Sequence, residues 1–118
     1  MTQTVTLYHN NRCSKSRAAL ALLQVRGVKA QVVNYLDTPP STDELQSVFA
    51  KLGTDSVRSM MRVKDELYRE LQLDNPDLSN EDLLKAIAAH PKLLERPIVV
   101  AGDKAAIGRP LENIEALL

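Results

Sequence analysis

The sequence predicts an α/β fold in which a βαβ unit and a ββα unit are separated by a block of helices. Three observations carry this expectation. Residues 5–36 alternate short β-rich runs with apolar residues at helical spacing, residues 41–89 show helical spacing only, and residues 98–117 hold two short strands and a last amphipathic stretch. At 118 residues the chain has the size of one domain. No repeat, low-complexity tract or linker composition divides it, so residues 1–118 are expected to fold as a single domain.

Residues 5–8 form an apolar run that reads as a strand, followed by the polar stretch His9-Asn10-Asn11-Arg12 and then Leu20, Leu23 and alanines at helical spacing. Gly27 supplies the left-handed residue a helix C-terminus favours, and residues 31–36, rich in Val and Tyr, return as a second strand. Thr38-Pro39-Pro40 punctuates the chain. Ser41 with Glu44 has capping-box spacing and opens a helix with Leu45, Val48, Phe49 and Leu52 on one face, ended by Gly53. From 56 to 89 the pattern stays helical in three pieces: one through Met60 and Met61, one around Leu67 and Leu71, and one capped by Ser79 with Leu83, Leu84 and Ile87 inward. His90-Pro91 stops the third piece, which gives His90 a structural reading. Ile98-Val99-Val100, a Gly102-Asp103 turn and Ala105-Ala106-Ile107 form a hairpin, and Gly108-Arg109-Pro110 leads into a final amphipathic helix with Leu111, Ile114 and Leu117. This order is that of a thioredoxin-like fold with an inserted helical block between its βαβ and ββα halves. It implies a mixed sheet with helices on both faces.

Composition narrows the function classes. With 44% apolar and 25% charged residues the chain is an ordinary globule. The apolar stretches 18–23 and 98–101 fall far short of the ~18 residues a spanning helix needs, and the N-terminus lacks the basic flank and apolar run of a signal peptide. A cytoplasmic location with no membrane partner is therefore expected. Fifteen basic residues balance fifteen acidic ones, so no overall field points to nucleic acid. The charge is nevertheless uneven: Arg12, Lys15, Arg17, Arg26 and Lys29 all precede the first acid, Asp37. A single cysteine closes no internal disulfide and builds no structural zinc site that needs two thiolates; no metal ligand set is expected.

Cys13 falls where the first strand passes into the first helix, a position at which free N–H groups and the positive end of the helix dipole stabilise an anion such as a thiolate. Arg12, Lys15 and Arg17 add positive charge, His9 lies on the same loop, and a lowered thiol pKa is expected. A basic first turn opposes the helix dipole, and a locally unfavourable choice marks a functional site. Ser16 stands where a dithiol oxidoreductase carries its second cysteine, so a resolving thiol must come from another molecule. The Ser16 hydroxyl is a candidate donor to the thiolate, while Asn10 and Asn11 read as loop formers.

Tyr8-His9-Asn10, Arg12-Cys13-Ser14-Lys15-Ser16-Arg17, residues 35–40 (Tyr-Leu-Asp-Thr-Pro-Pro), Arg62, residues 95–100 (Glu-Arg-Pro-Ile-Val-Val) and Gly108-Arg109-Pro110 together resemble the glutaredoxin-dependent arsenate reductases of the ArsC type, over essentially the whole chain. The resemblance implies a cysteine that attacks arsenate, with Arg62, Arg96 and Arg109 as the oxyanion-binding arginines. Oxyanion chemistry independently favours several fork-shaped, permanently charged donors. The resemblance also gives Pro97 as the cis-proline facing the cysteine and His9 as an aid to cysteine activation, which with Cys13 and Ser16 completes the expected catalytic group. Where many family members read Pro-x-Cys-Gly-Thr-Ser, this chain has Asn11-Arg12-Cys13-Ser14-Lys15-Ser16, a pattern that resembles a separate branch.

The expected mechanism has the Cys13 thiolate attack arsenic(V), glutathione join as co-substrate, arsenite leave, and glutaredoxin regenerate the cysteine, with no bound cofactor. Two alternatives use the same scaffold. One is a glutathione-linked thiol oxidoreductase without an oxyanion substrate. The other is an Spx-like redox regulator that binds RNA polymerase, which the serine at position 16 and the three arginines disfavour.

Overall fold

In the computed structural model, which describes residues 4–118, the first strand β1 (Thr4–His9) lies inside a four-stranded sheet of order β2-β1-β3-β4. Its alternation explains that place: Val5 and Leu7 are buried on one face while Tyr8 is buried on the other, so both faces are covered. β2 (Lys29–Asn34) pairs with β1 in parallel, with Leu7 opposite Val32. β3 (Ile98–Ala101) pairs antiparallel on the other side, with Leu7 opposite Val99, and the Gly102-Asp103 turn returns the chain as β4 (Lys104–Ile107). Gly102 takes φ 64, the left-handed conformation such a short turn requires.

The parallel β1–β2 pair needs a crossover, and α1 (Ser14–Val25) provides it. Ala19 and Leu23 of α1 and Ile114 of α5 (Glu112–Leu117) pack with Val5, Leu7 and Val99, so both helices cover the same face of the sheet. Each of the buried Val, Leu and Ile side chains here is worth roughly 1.5–3 kcal/mol relative to exposure.

The chain divides into two compact units, one taking in the sequence up to Thr38 together with Arg96–Leu118, the other Pro39–Glu95. The first holds the sheet with α1 and α5. The second is the helical block inserted between the two halves, as the element order predicts.

Local chemistry accounts for the block's elements. Ser41 caps α2 (Thr42–Leu52) by accepting from the Glu44 N–H, Leu45 and Val48 are buried, and Gly53 closes the helix at φ 70. A 3₁₀ turn (Val57–Met60) precedes the short α3 (Glu66–Glu70), which is capped by Asp65. Ser79 and Asp82 form a reciprocal capping box on α4 (Asn80–Ala89), which buries Leu83, Leu84 and Ile87. Arg58 ties the middle together, donating to the Tyr68 hydroxyl and to the carbonyls of Leu73 and Asn75. His90 ends α4 ahead of a second 3₁₀ turn (Pro91–Leu93). Among the described residues no helix is long and apolar enough to cross a membrane.

Two expectations are corrected. The second strand runs over Lys29–Asn34 rather than 31–36, because its partner β1 pairs from Thr4 opposite Lys29 to His9 opposite Asn34. Beyond that register the chain turns, with the Asp37 and Thr38 N–H groups both donating to the Asn34 carbonyl. The helical piece expected around Leu67 and Leu71 ends before Leu71, which is 38% exposed. α3 stops at Glu70, Gln72 bends the chain at φ 56, and Tyr68 and Leu73 are the side chains buried there.

Candidate active site

The loop between β1 and α1 is shaped by Asn10. Its side-chain oxygen accepts from the Arg12 N–H at 3.0 Å and its carbonyl accepts from the Cys13 N–H at 3.0 Å, a turn that places Cys13 at the N-cap of α1. The helix starts when the Arg17 N–H donates to the Cys13 carbonyl. The Lys15 and Ser16 N–H groups are left without intrahelical partners and lie toward the sulfur. No conventional side-chain cap bond is closed, so the large sulfur gains their electrostatic attraction rather than a short hydrogen bond.

Cys13 is 9% exposed. Burial opposes the thiolate, but the main-chain N–H groups of Ser16 and Lys15 and then the charges of Arg96 and Arg109 outweigh it, holding the pKa below the ordinary thiol value. The expected activation is present, with a different source of charge. Arg96 and Arg109, distant in sequence, supply it in place of Arg12, Lys15 and Arg17. Lys15 acts through its main chain, and the Arg17 guanidinium is turned to the Asn11 carbonyl at 3.0 Å.

Arg109 donates from Nη2 to Cys13 Sγ at 3.8 Å and from Nε to the Arg96 carbonyl at 2.7 Å. One guanidinium therefore touches the thiol while the main chain of the second arginine fixes its plane. Arg96 packs with Nε and Nη1 buried, and the bonds Arg96–Pro97 and Arg109–Pro110 are both cis. The Gly108 N–H donates to the Pro97 carbonyl at 2.9 Å, clasping the two arginine–proline segments. A Cβ on Gly108 would lie 2.6 Å from Ile114 Cδ1 and 2.8 Å from Pro97 Cγ, so only glycine permits this approach.

His9 and Ser16 are both buried, and His9 Nδ1 lies 2.7 Å from Ser16 Oγ. The same hydroxyl oxygen accepts from the Asn10 N–H at 3.0 Å. This corrects the expected hydroxyl bond from Ser16 to the thiolate. The hydroxyl is committed to His9 and Asn10, and Ser16 serves the sulfur through its main-chain N–H.

The structure thus brings Cys13, Arg96, Arg109 and the His9–Ser16 pair together within the first unit. Arg62 belongs to the second, where its guanidinium pairs with Asp65 at 3.4 Å. Asp65 also pairs with Lys92 at 3.5 Å and caps α3, so one carboxylate serves three partners. Its pKa is lowered by the Leu67 N–H first and by Lys92 and Arg62 thereafter, against the cost of burial. Sequence reasoning missed Asp65, although an acid three residues after a candidate arginine is a readable pairing signal. It missed the Gly108 clasp because nothing local announces it. Among the described residues, no three His, Cys, Asp or Glu side chains gather in a way that could hold a metal ion.

The model of the ArsC family matches residues 8–117. An arsenate reductase of Neisseria meningitidis serogroup A is 67% identical over 114 residues, covering 97% of each chain. The arsenate reductase of Haemophilus influenzae is 55% identical over 115 residues, covering 98% of this chain and 99% of its own. A solved structure titled arsenate reductase from Vibrio cholerae superposes with a TM-score of 0.97 at 49% identity, over 100% of both chains. With a family model spanning nearly every residue and relatives this similar end to end, the chain belongs to the ArsC family.

Proposed function

We propose that this protein reduces arsenate to arsenite by thiol chemistry at Cys13. The observation that carries the reading is the activated thiol: a buried sulfur with a lowered pKa, touched by the Arg109 guanidinium at 3.8 Å. The names of the similar proteins support the choice of oxyanion.

In the reaction, the thiolate attacks arsenic(V) and an As–S bond replaces an As–O bond, the oxygen leaving as water after protonation. An external thiol, for which we propose glutathione, then supplies the second sulfur. Arsenic gains two electrons, the two sulfurs join as a mixed disulfide on Cys13, and arsenite departs. In sum, arsenate and two thiols become arsenite, one disulfide and one water. Glutaredoxin is proposed to return Cys13 to the thiol by disulfide exchange, because this chain has no second cysteine to do so. No bound cofactor enters the scheme.

Arg96 and Arg109 are assigned the grip on the oxyanion, where a bidentate guanidinium matches two oxygens of a tetrahedral anion. The resemblance gives Arg62 the same role, and His9 and Ser16 hold the first turn of α1 so that its N–H groups stay aimed at the sulfur. The test is arsenate turnover by the purified protein with glutathione, glutaredoxin and NADPH-coupled recycling. Turnover that Cys13→Ser abolishes is expected, and Arg96→Lys and Arg62→Lys should each weaken arsenate binding about ten- to a hundredfold, the worth of a charge-assisted hydrogen bond. Wild-type protein that reduces disulfide substrates with glutathione but leaves arsenate unchanged would overturn the assignment.

A further inference from the structure

A thiolate and an oxyanion complete only half of the chemistry proposed above. The second sulfur must arrive from outside, since Cys13 is the only cysteine in the chain, and it must arrive with its thiol presented to the Cys13 loop. The arginines occupy one flank of that loop: Arg96 leads into β3, on one side of β1. On the other side of β1, toward β2, the first unit has a groove of about 420 Å³. That volume falls within the range of small-ligand sites. The groove also lies at the carboxyl ends of β1 and β2, where open α/β sheets bind ligands.

Its lining is polar and oppositely charged. Arg12 stands on the Cys13 loop and Asp37 on the turn after β2, with Asn10 and Asn34 also lining it and Leu36, 47% exposed, offering an apolar surface. Among the described residues neither Arg12 nor Asp37 has an ion-pair partner. A cation and an anion left unmatched in one groove complement a ligand that carries both charges, and an α-amino-acid group is such a ligand. Amide side chains suit the carbonyls and N–H groups of a short peptide, and Leu36 suits its methylenes.

We propose that this groove is the seat of the external thiol, an amino-acid or short-peptide thiol whose carboxylate faces Arg12 and whose ammonium faces Asp37. The inference rests on the reading of Cys13 as a thiol that needs a second sulfur. Because Arg12 immediately precedes Cys13, a ligand held by its zwitterionic end is tethered beside the reacting sulfur while the arginine flank stays open to the oxyanion. Seating the two substrates on opposite sides lets both be bound at once, as transfer of two electrons in one complex requires.

The probe is S-methylglutathione, a thioether that binds without reacting, titrated into the full chain and followed by amide chemical shifts. Expected are saturable shifts at Asn10, Asn34, Leu36 and Asp37, and affinity lower by up to about fivefold in each of Asp37→Asn and Arg12→Gln, the upper worth of an exposed ion pair. Acetylating the ligand's amino group should cost wild type a similar factor and Asp37→Asn nothing further. S-methylcysteine separates the sources: binding equal to that of the tripeptide assigns the groove to a free amino-acid thiol, and weaker binding assigns it to the peptide, both with Asp37 and Arg12 sensitivity. Shifts confined to the Arg96–Pro97 segment, unchanged affinity in both variants, or no saturation would overturn the proposal. This readout does not depend on arsenate, so absence of arsenate turnover would overturn the proposed substrate while leaving the groove to stand or fall by its own titration.

Discussion

Replacing Gly108 by alanine should loosen the site without touching any group that meets substrate. The added Cβ would sit 2.6 Å from Ile114 Cδ1 and 2.8 Å from Pro97 Cγ, where carbon atoms prefer about 3.5–4.0 Å. Relief therefore needs displacements of roughly 1 Å at two neighbours. The Ile114 δ-methyl can swing, but the Pro97 ring is stiff and its carbonyl is bonded to the Gly108 N–H, so the strand end and Arg109 must shift instead. Overpacking of this kind costs about 1–3 kcal/mol. Loss of glycine entropy from the unfolded chain returns about 0.4–1 kcal/mol, leaving a net destabilisation of roughly 1–2 kcal/mol. Because Arg109 follows directly, its 3.8 Å contact to Cys13 should lengthen and the thiol pKa should rise toward the ordinary value. Urea unfolding measures the first effect and thiolate absorbance across a pH titration the second. Ile114→Val removes the δ-methyl that clashes, so the double variant should be less destabilised than the two single changes summed. Gly108→Ala with wild-type stability and an unmoved Cys13 titration would show that the close approach at Gly108 does not position Arg109.

Arg109→Ala should raise the Cys13 pKa by removing a neighbouring positive charge, so that alkylation by iodoacetamide slows at neutral pH and its rate profile moves to higher pH. Ser16→Ala should barely move that titration, because Ser16 reaches the sulfur through its main chain, yet it should cost about 1–3 kcal/mol in urea unfolding by stranding His9 and the Asn10 N–H in a buried place. Asp65 has a lowered pKa, so its charged form favours folding above the ordinary carboxylate range, and this contribution fades as pH falls through the lowered value. Asp65→Asn retains a cap acceptor but no charge and should flatten the acid side of a stability-versus-pH curve, whereas Asp65→Ala should cost a further ~1 kcal/mol for the lost cap.

Features legible from residue order alone are those that short-range forces decide. Ser41 and Ser79 announce their helices because a cap satisfies N–H groups two or three residues away, and Gly53 marks an end because the left-handed conformation is a single-residue property. The position of Cys13 at the start of α1 is readable for the same reason, and with it the lowered pKa. Which charges lower it is not readable. Arg12, Lys15 and Arg17 are near in sequence, but their side chains are exposed and the Arg17 guanidinium is turned to the Asn11 carbonyl, whereas Arg109, 96 residues away, reaches the sulfur. The pairing of β3 beside β1 brings the Arg96–Pro97 segment alongside the Cys13 loop, and the Gly108 clasp and the Arg109 bond to the Arg96 carbonyl join Arg109 to it. The register that starts β2 at Lys29 and the commitment of the Ser16 hydroxyl to His9 share that origin. Each depends on a partner supplied by another part of the chain, and a local pattern carries no information about the partner until the sheet and core have formed.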